Sequence, residues 1–97
     1  MKAVMIVFNQ ANNSLVQQAL DKCNVRGFTK WADVQGRGSN KGEPHFGTHA
    51  WPSINMAVMA VVEPEILTIL LSELKEINSS AEKQGLRAFV WEAESAI

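Results

Sequence analysis

Two stretches of the chain are apolar at every position, and they limit the fold more than any other feature. Residues 3–8, AVMIVF, and residues 56–62, MAVMAVV, contain no polar side chain. Both are far shorter than the roughly 20 residues that a membrane-spanning helix needs, and their branched residues favour strands. Because side chains of a strand point alternately to its two faces, these strands are apolar on both faces. We therefore expect two strands that are covered on both sides.

Two further stretches have the spacing of amphipathic helices. Apolar residues recur every three or four positions over residues 13–24, with Gly27 just past the end to reverse the chain. The same spacing marks residues 64–78, which begin with Pro64, a residue suited to a first helical turn. The candidates for the N-terminal cap of the first helix are Asn12, Asn13 and Ser14.

The remaining regular segments are predicted strands. Residues 28–35 alternate in the manner of a strand, residues 54–63 extend the second apolar run, and residues 86–92, LRAFVWE, form the last strand. The resulting order, β-α-β-β-α-β, predicts a single domain of the α+β class over residues 1–97. Its expected architecture is ferredoxin-like, a four-stranded antiparallel sheet with two helices on one face.

This architecture leaves one face of the sheet without helices. An antiparallel sheet with a wet face normally carries polar side chains there, but both apolar runs lack them. An apolar sheet face left in water would cost several kcal/mol at about 25 cal/mol per Å² and would promote aggregation. We therefore expect a homo-oligomer that closes over this face as a symmetric ring.

Charge and cysteine content exclude several classes of function. The formal net charge is -1 and no block of Lys and Arg occurs, so we expect neither direct nucleic-acid binding nor attraction to an acidic membrane surface. The short apolar runs predict no membrane insertion. A single cysteine, Cys23, fits a reducing compartment, and we expect a cytoplasmic protein. Cys23 falls on the inward stripe of the first helix, which favours a packing role over that of a nucleophile.

Residues 36–54 form a long arm between two predicted strands, and its first part can bind an anion. The arm greatly exceeds the 2 to 5 residues of an ordinary hairpin loop, and loops of this length are typically functional or disordered. Its glycines allow backbone N–H groups to approach an anion and its cations add charge; glycines that only let the loop turn are the alternative. The candidate ligand-binding residues are Gly36, Arg37, Gly38, Lys41 and Gly42.

The second part of the arm carries histidines and aromatic residues. His45 and His49 suggest a metal pair, but their spacing aligns two imidazoles only on a helix, which the prolines and glycine here forbid. Imidazoles that hydrogen-bond the loop backbone are the favoured alternative, and we do not expect a metal cofactor. Phe46 and Trp51 either fold back on the domain or anchor a partner protein. Trp31 and Trp91, by contrast, are interpreted as packing residues of strands.

The chain as a whole resembles the P-II signal-transduction family over about residues 2–92. The similarity includes the strand KAVMIVF, the turn VRGFT, the segment GRGSNKG that opens the arm, and the helix EPEILTILLSELKEI. The family pattern G-x-G-x-x-K-G at the base of its T-loop is matched by Gly36, Gly38, Lys41 and Gly42.

The resemblance implies a homotrimer without catalytic activity. Members of the family bind adenine nucleotides in clefts between subunits, and their T-loops contact target enzymes, regulators or membrane transporters. For this chain it implies an effector, an adenine nucleotide, at the residues just named, and contact of the arm with a target protein.

Two departures from the family pattern affect the ligand. The second phosphate loop of the family is reduced here to EKQGLRAF, in which Arg87 is the basic residue that remains to line the cleft. The arginines that often reach the phosphates have no counterpart in WEAESAI. Each lost charge-assisted contact would cost about 1.5 to 3 kcal/mol, so we do not expect the ordinary ATP binding of the family, and another ligand or no ligand is the alternative.

Three functions follow from these observations. The first is a trimeric regulatory module of nitrogen-regulatory type that binds an effector and touches a target protein. The alternative is a metal-responsive protein similar to CutA or to efflux-associated relatives, with His45 and His49 as ligands. An enzyme is disfavoured because two histidines in a loop cannot assemble a nucleophile, a base and an orienting group.

Overall fold

The order of elements along the chain is that of a ferredoxin-like domain. The computed structural model describes residues 1–36, 54–80, 85–95 and 97. The strands are β1 (Lys2–Asn9), β2 (Phe28–Val34), β3 (Asn55–Val62) and β4 (Arg87–Glu92), and the helices are α1 (Asn13–Lys22) and α2 (Pro64–Ser80). The four strands form one antiparallel sheet in the order β2-β3-β1-β4. The predicted fold class and all six elements are confirmed.

The core lies between the helices and one face of the sheet. Alternate residues of β1, namely Val4, Ile6 and Phe8, have no exposed surface, and Val58 of β3 lies directly beside Ile6. The helices contribute the side chains that cover them. Full burial of one such side chain contributes about 1.5 to 3 kcal/mol. The buried helical residues of this core include Val16, Leu20, Leu70 and Leu74.

The start of α1 agrees with the prediction in position, and its end does not. Asn12, one of the predicted candidates, is the N-cap of α1, but its side chain makes no cap hydrogen bond. A 3-10 turn, Gln10–Asn12, precedes the helix, and this turn is capped by Asn9, whose Oδ1 accepts a hydrogen bond from the Ala11 N–H at 2.8 Å. The chain reverses at Asn24, which has a φ of 59°, and the prediction that Gly27 makes this reversal is wrong. Asparagine tolerates the left-handed region because its short polar side chain bonds locally.

Strand β2 contains a β-bulge that its sequence does not predict. Its pairing with β3 is regular from Phe28 to Trp31 and then shifts before Val34 pairs with Asn55. Within this bulge Asp33 has a φ of 57°, a left-handed conformation that costs a non-glycine residue about 1 to 2 kcal/mol. The bulge lies just before the arm and sets the direction in which β2 enters it.

An ion pair joins the two helices on the outer side of the domain. Lys22 Nζ lies 2.9 Å from Glu73 Oε1. The hydrogen bond to Glu73 and its negative charge raise the pKa of Lys22. The lysine is largely exposed, so solvent screening leaves the pair a small contribution to stability.

Candidate functional site

The face of the sheet opposite the helices is apolar, and we call it the open face. Strand pairing and alternation assign its members, because they are the neighbours in sequence of the buried core residues. One polar threonine and one cation, Arg87, stand among otherwise apolar side chains. The open face comprises Ala3, Met5, Val7, Thr29, Trp31, Ala57, Met59, Val61, Arg87, Phe89 and Trp91.

Large side chains of the open face are half exposed in the isolated subunit. Phe89 is 57% exposed, and Trp31 and Trp91 are 44% exposed each. The interpretation of the two tryptophans as packing residues is therefore wrong within one subunit. Ala3 is buried although it lies on this face, because its cross-strand neighbours Val61 and Trp91 shade it. Three half-exposed aromatic rings, each able to bury about 150 to 250 Å², leave roughly 300 Å² of aromatic surface open to water on this face, and the largest apolar patch of a monomer is often a functional surface.

The arm leaves the sheet at a tightly packed corner. A Cβ at Gly36 would meet the Asn55 side-chain nitrogen at 3.2 Å, so glycine lets the two strands stay close there. Asn55 pairs with Asn9 across the strands, and both are buried. On the other side of the arm, the Gln10 N–H donates to the Ile54 carbonyl at 2.8 Å. Both ends of the arm are thus fixed to the same corner of the domain.

Two of the predicted ligand-binding residues lie within the described part of the chain, and they lie on opposite edges of the sheet. Gly36 continues β2, whereas Arg87 begins β4. Arg87 pairs with Val7, two residues from Asn9 along β1, so both residues are at the same end of the sheet. Three strand spacings of about 4.8 Å separate the two edges by roughly 14 Å. One subunit therefore does not bring Gly36 and Arg87 onto a single small anion.

Arg87 is available for a ligand. Its Nη1 donates to the Leu86 carbonyl at 3.0 Å, which leaves most of its five donors unused. Within the described ranges the salt bridges involve Met1 and Lys2 with Glu92, and Lys22 with Glu73, so Arg87 has no carboxylate partner there.

The remaining predicted site residues lie in the arm, outside the described residues. For the ligand site these are Arg37, Gly38, Lys41 and Gly42, and for the partner-binding and metal predictions they are His45, Phe46, His49 and Trp51. Within residues 1–36, 54–80, 85–95 and 97, no three His, Cys, Asp or Glu side chains are grouped so that they could hold a metal ion. None of the helices in those ranges has the length and apolar character needed to cross a membrane.

The sequence reasoning missed a polar cluster between α1 and β2. Lys30 Nζ donates to Asn13 Oδ1 at 2.9 Å and to Gln17 Oε1 at 3.0 Å, and it lies 5.7 Å from the centre of the Phe28 ring. Asn13 and Gln17 are four residues apart and so share one face of the helix, which was the available signal. Nearby, buried Asn12 Nδ2 has no hydrogen-bond partner among the residues described. The cluster ties β2 to α1 next to the bulge at the base of the arm.

Cys23 is buried, as its position on the inward stripe of α1 predicts. Burial raises the pKa of the Cys23 thiol, and the charge of Glu73 adds to this effect. A thiol with a raised pKa is a poor nucleophile at neutral pH.

The fold has many relatives of known structure. A protein from Thiomonas intermedia K12 named CPII, a nitrogen regulatory PII-like protein bound to ADP, AMP and bicarbonate, superposes with a TM-score of 0.75 at 20% sequence identity, covering 93% of this chain and 82% of that chain. The apo form of CPII gives a TM-score of 0.69 at 19% identity, covering 93% and 85%. A PII-like signalling protein from Thermus thermophilus gives 0.66 at 19% identity, covering 93% and 83%.

Sequence comparison assigns the family. A search among curated protein sequences finds no significant match. The profile of the family described as "Nitrogen regulatory protein P-II" matches residues 1–97. The match spans every element of the four-stranded sheet and both helices described above. The chain therefore belongs to the P-II family of regulatory proteins.

Proposed function

We propose that the protein is a non-catalytic P-II-like regulator that assembles as a homotrimer through its open face. In this proposal an adenine nucleotide binds between neighbouring subunits, and the arm at residues 36–54 contacts a target protein in the cytoplasm. The observation that carries the proposal is the placement of Gly36 and Arg87 at one end of the sheet but on opposite edges.

A ring of subunits would bring Gly36 of one subunit close to Arg87 of the next. If the β2 edge of one copy lies beside the β4 edge of the next, the base of one arm meets Arg87 of the neighbour. Such a heterologous contact closes into a ring when the rotation per subunit is right. The half-exposed rings of Trp31, Phe89 and Trp91 lie on those same two edge strands, so they are covered by the same contact.

The chemistry of the proposed cleft suits a nucleotide of low phosphate count. Backbone N–H groups at Gly36, Gly38 and Gly42 would surround a phosphate, with Arg37, Lys41 and Arg87 supplying positive charge. The family's second glycine-rich phosphate loop is reduced here to EKQGLRAF. CPII was solved with ADP and AMP bound, which supports the choice of these two nucleotides as probes. We expect AMP or ADP to bind more tightly than ATP.

The second half of the arm is proposed as the target-binding surface. His45, Phe46, His49 and Trp51 combine aromatic and polar groups of the kind that dominate protein interfaces. Together the nucleotide cleft at the base of the arm and the target contact at its far part would couple effector binding to target binding.

The proposal is tested by mass and by nucleotide titration. Light scattering after gel filtration should give three times the 10.7 kDa of one chain. Calorimetric titration should show binding of AMP or ADP, and Arg87→Gln should weaken it about tenfold or more, the equivalent of the 1.5 to 3 kcal/mol of a charge-assisted hydrogen bond.

Arg26→Gln is the matched control, because Arg26 is exposed and bonds to Asn24 before β2 begins, away from the arm. It should leave the affinity unchanged. If the protein is a monomer at micromolar concentration, the proposed cleft between subunits is wrong. If the trimer binds no adenine nucleotide, or if Arg87→Gln keeps full affinity, the proposed ligand site is wrong but the proposed assembly is not.

A further inference from the structure

A cleft of about 360 Å³ lies between α2 and β4 on the helix side of the sheet. This side is opposite the open face, and the cleft shares one lining residue, Arg87, with the nucleotide site proposed above. It exists because two helices do not fully cover four strands, and the edge strand β4 is left partly bare. Its apolar lining is formed by Leu71, Leu74, Leu86, Ala88 and Val90.

The geometry of both elements produces this apolar lining. Leu71, Leu74, Lys75 and Asn78 are spaced three and four residues apart, so they share one stripe of α2. Ala88 and Val90 lie on the helix-facing side of β4, opposite Ile6 and Val4 of β1. Val90 remains 40% exposed although its side of the sheet is the core side, which marks the cleft as open to solvent.

The polar groups around the cleft are hydrogen-bond donors. Asn78, which lines the cleft, accepts a hydrogen bond from the Leu86 N–H at its Oδ1 at 3.1 Å, so the Nδ2 group of the amide remains as its donor. Lys75 and Arg87 complete the lining, and neither forms a salt bridge with a carboxylate in the described part of the chain. No Asp or Glu occurs among the described lining residues. Within the residues that the structure describes, the border of this apolar trough consists of donors and cations, which complements an amphipathic anion.

We propose that this cleft binds a medium-chain aliphatic carboxylate, with its chain against the leucines and its carboxylate beside Lys75 and Asn78. One ammonium and one amide supply donors for the two oxygens of a carboxylate. The volume suits this ligand, since a water molecule occupies about 30 Å³ of liquid and a methylene group a similar volume, which gives room for on the order of ten heavy atoms. Clefts of this size are within the range of small-molecule sites.

A second cleft of about 310 Å³ between α1 and α2 provides an internal comparison. Leu15, Ala19 and Ile77 give it an apolar floor, but Glu73 and Glu76 stand at its border beside Lys22. Its volume is similar and its charge is opposite in sign. An aliphatic carboxylate should therefore bind the second cleft more weakly. The comparison distinguishes specific binding of the carboxylate from non-specific binding of an aliphatic chain to any apolar surface.

The test is a titration of the full chain with octanoate, octan-1-ol and octylammonium, followed by backbone amide NMR spectra and calorimetry. Octanoate should bind saturably, with shifts concentrated at residues 71–78 and 86–90, and octylammonium should bind at least tenfold more weakly. Lys75→Gln should weaken octanoate about fivefold and Lys75→Glu about twentyfold, because an exposed ion pair contributes up to about 1 kcal/mol. Lys22→Gln, in the second cleft, should leave the affinity unchanged.

Lys75 is exposed, so its variants are expected to fold, and circular dichroism checks this. The proposal is wrong if octanoate does not bind, if octylammonium binds as tightly, if Lys75→Glu retains full affinity, or if the shifts fall on Met5 and Met59 of the open face. The proposed function is tested at Arg87 and this proposal at Lys75, which is not part of the nucleotide site, so the failure of one is distinguishable from the failure of the other.

Discussion

The substitution Phe89→Ser tests whether the open face is a subunit interface. Phe89 is 57% exposed in the isolated subunit. Because an aromatic side chain buries about 150 to 250 Å², roughly 100 Å² of its ring is open to water. Covering that area contributes roughly 2.5 kcal/mol per subunit at about 25 cal/mol per Å². Phe89→Ser should remove this contribution from assembly and leave the fold of the subunit nearly unchanged.

The expected shift in assembly is large. Three subunits together lose roughly 7.5 kcal/mol, which lowers the association constant of a trimer by about five powers of ten. Because that constant scales with the square of the concentration, the midpoint of assembly should rise by roughly a few hundredfold. Sedimentation velocity over a dilution series measures this midpoint.

Leu15→Ser is the matched control for Phe89→Ser. Leu15 is 43% exposed, but it lies on α1, on the helix side of the domain. The control should keep the midpoint of the unaltered protein, and circular dichroism at low concentration should show that both variants are folded. The reasoning fails if Phe89→Ser assembles at the same concentration as the unaltered chain, or if Leu15→Ser dissociates as readily.

Three further perturbations test local features. At the β2 bulge, Asp33→Gly should be more stable to urea than Asp33→Ala by about 1 kcal/mol, because only glycine adopts the left-handed conformation freely; equal stabilities would contradict the strain. Burial raises the pKa of Cys23, so the unfolded chain ionises first as pH rises past about 8.5. The free energy of unfolding should therefore fall above that pH, and it should fall less in Cys23→Ala than in the unaltered protein. Cys23 of the folded protein should also react slowly with a thiol reagent, and a fast reaction would contradict its burial. The hydrogen bond from Lys2 lowers the pKa of Glu92, so its contribution is present above about pH 4.3 and lost as pH falls further. The pair is exposed, so Glu92→Gln should reduce acid sensitivity only slightly and only at low salt; a large effect would show that the pair is better shielded than its exposure indicates.

The order of elements could be predicted because it depends on local patterns. Continuous apolar runs indicated β1 and β3, and three- and four-residue spacing indicated α1 and α2. The bulge at Asp33 and the reversal at Asn24 could not be predicted, since both depend on how distant strands align and on which residue is forced into the left-handed region.

The residue types of the candidate site could be predicted from the sequence, but their positions in the fold could be predicted only in part. Alternation gives the two faces of a strand but not which face the helices cover, and for that reason Trp31 and Trp91 were assigned to packing. Gly36 and Arg87 stood out by residue type, yet their placement on opposite edges follows from the strand order β2-β3-β1-β4. The spacing of Asn13 and Gln17 indicates a shared helix face, but the lysine that joins them, Lys30, lies up to 17 positions away, and no local pattern predicts that contact.

The closed corner at Gly36, Asn55 and Ile54 has a consequence for how the family can diversify. With both ends of the arm fastened to the sheet, the domain tolerates changes of arm length cheaply, since doubling a flexible loop costs only about 0.6 kcal/mol. Selection on the interior of the domain therefore places little restriction on the arm. Its residues can be exchanged to suit a new client protein while the scaffold that carries them stays the same.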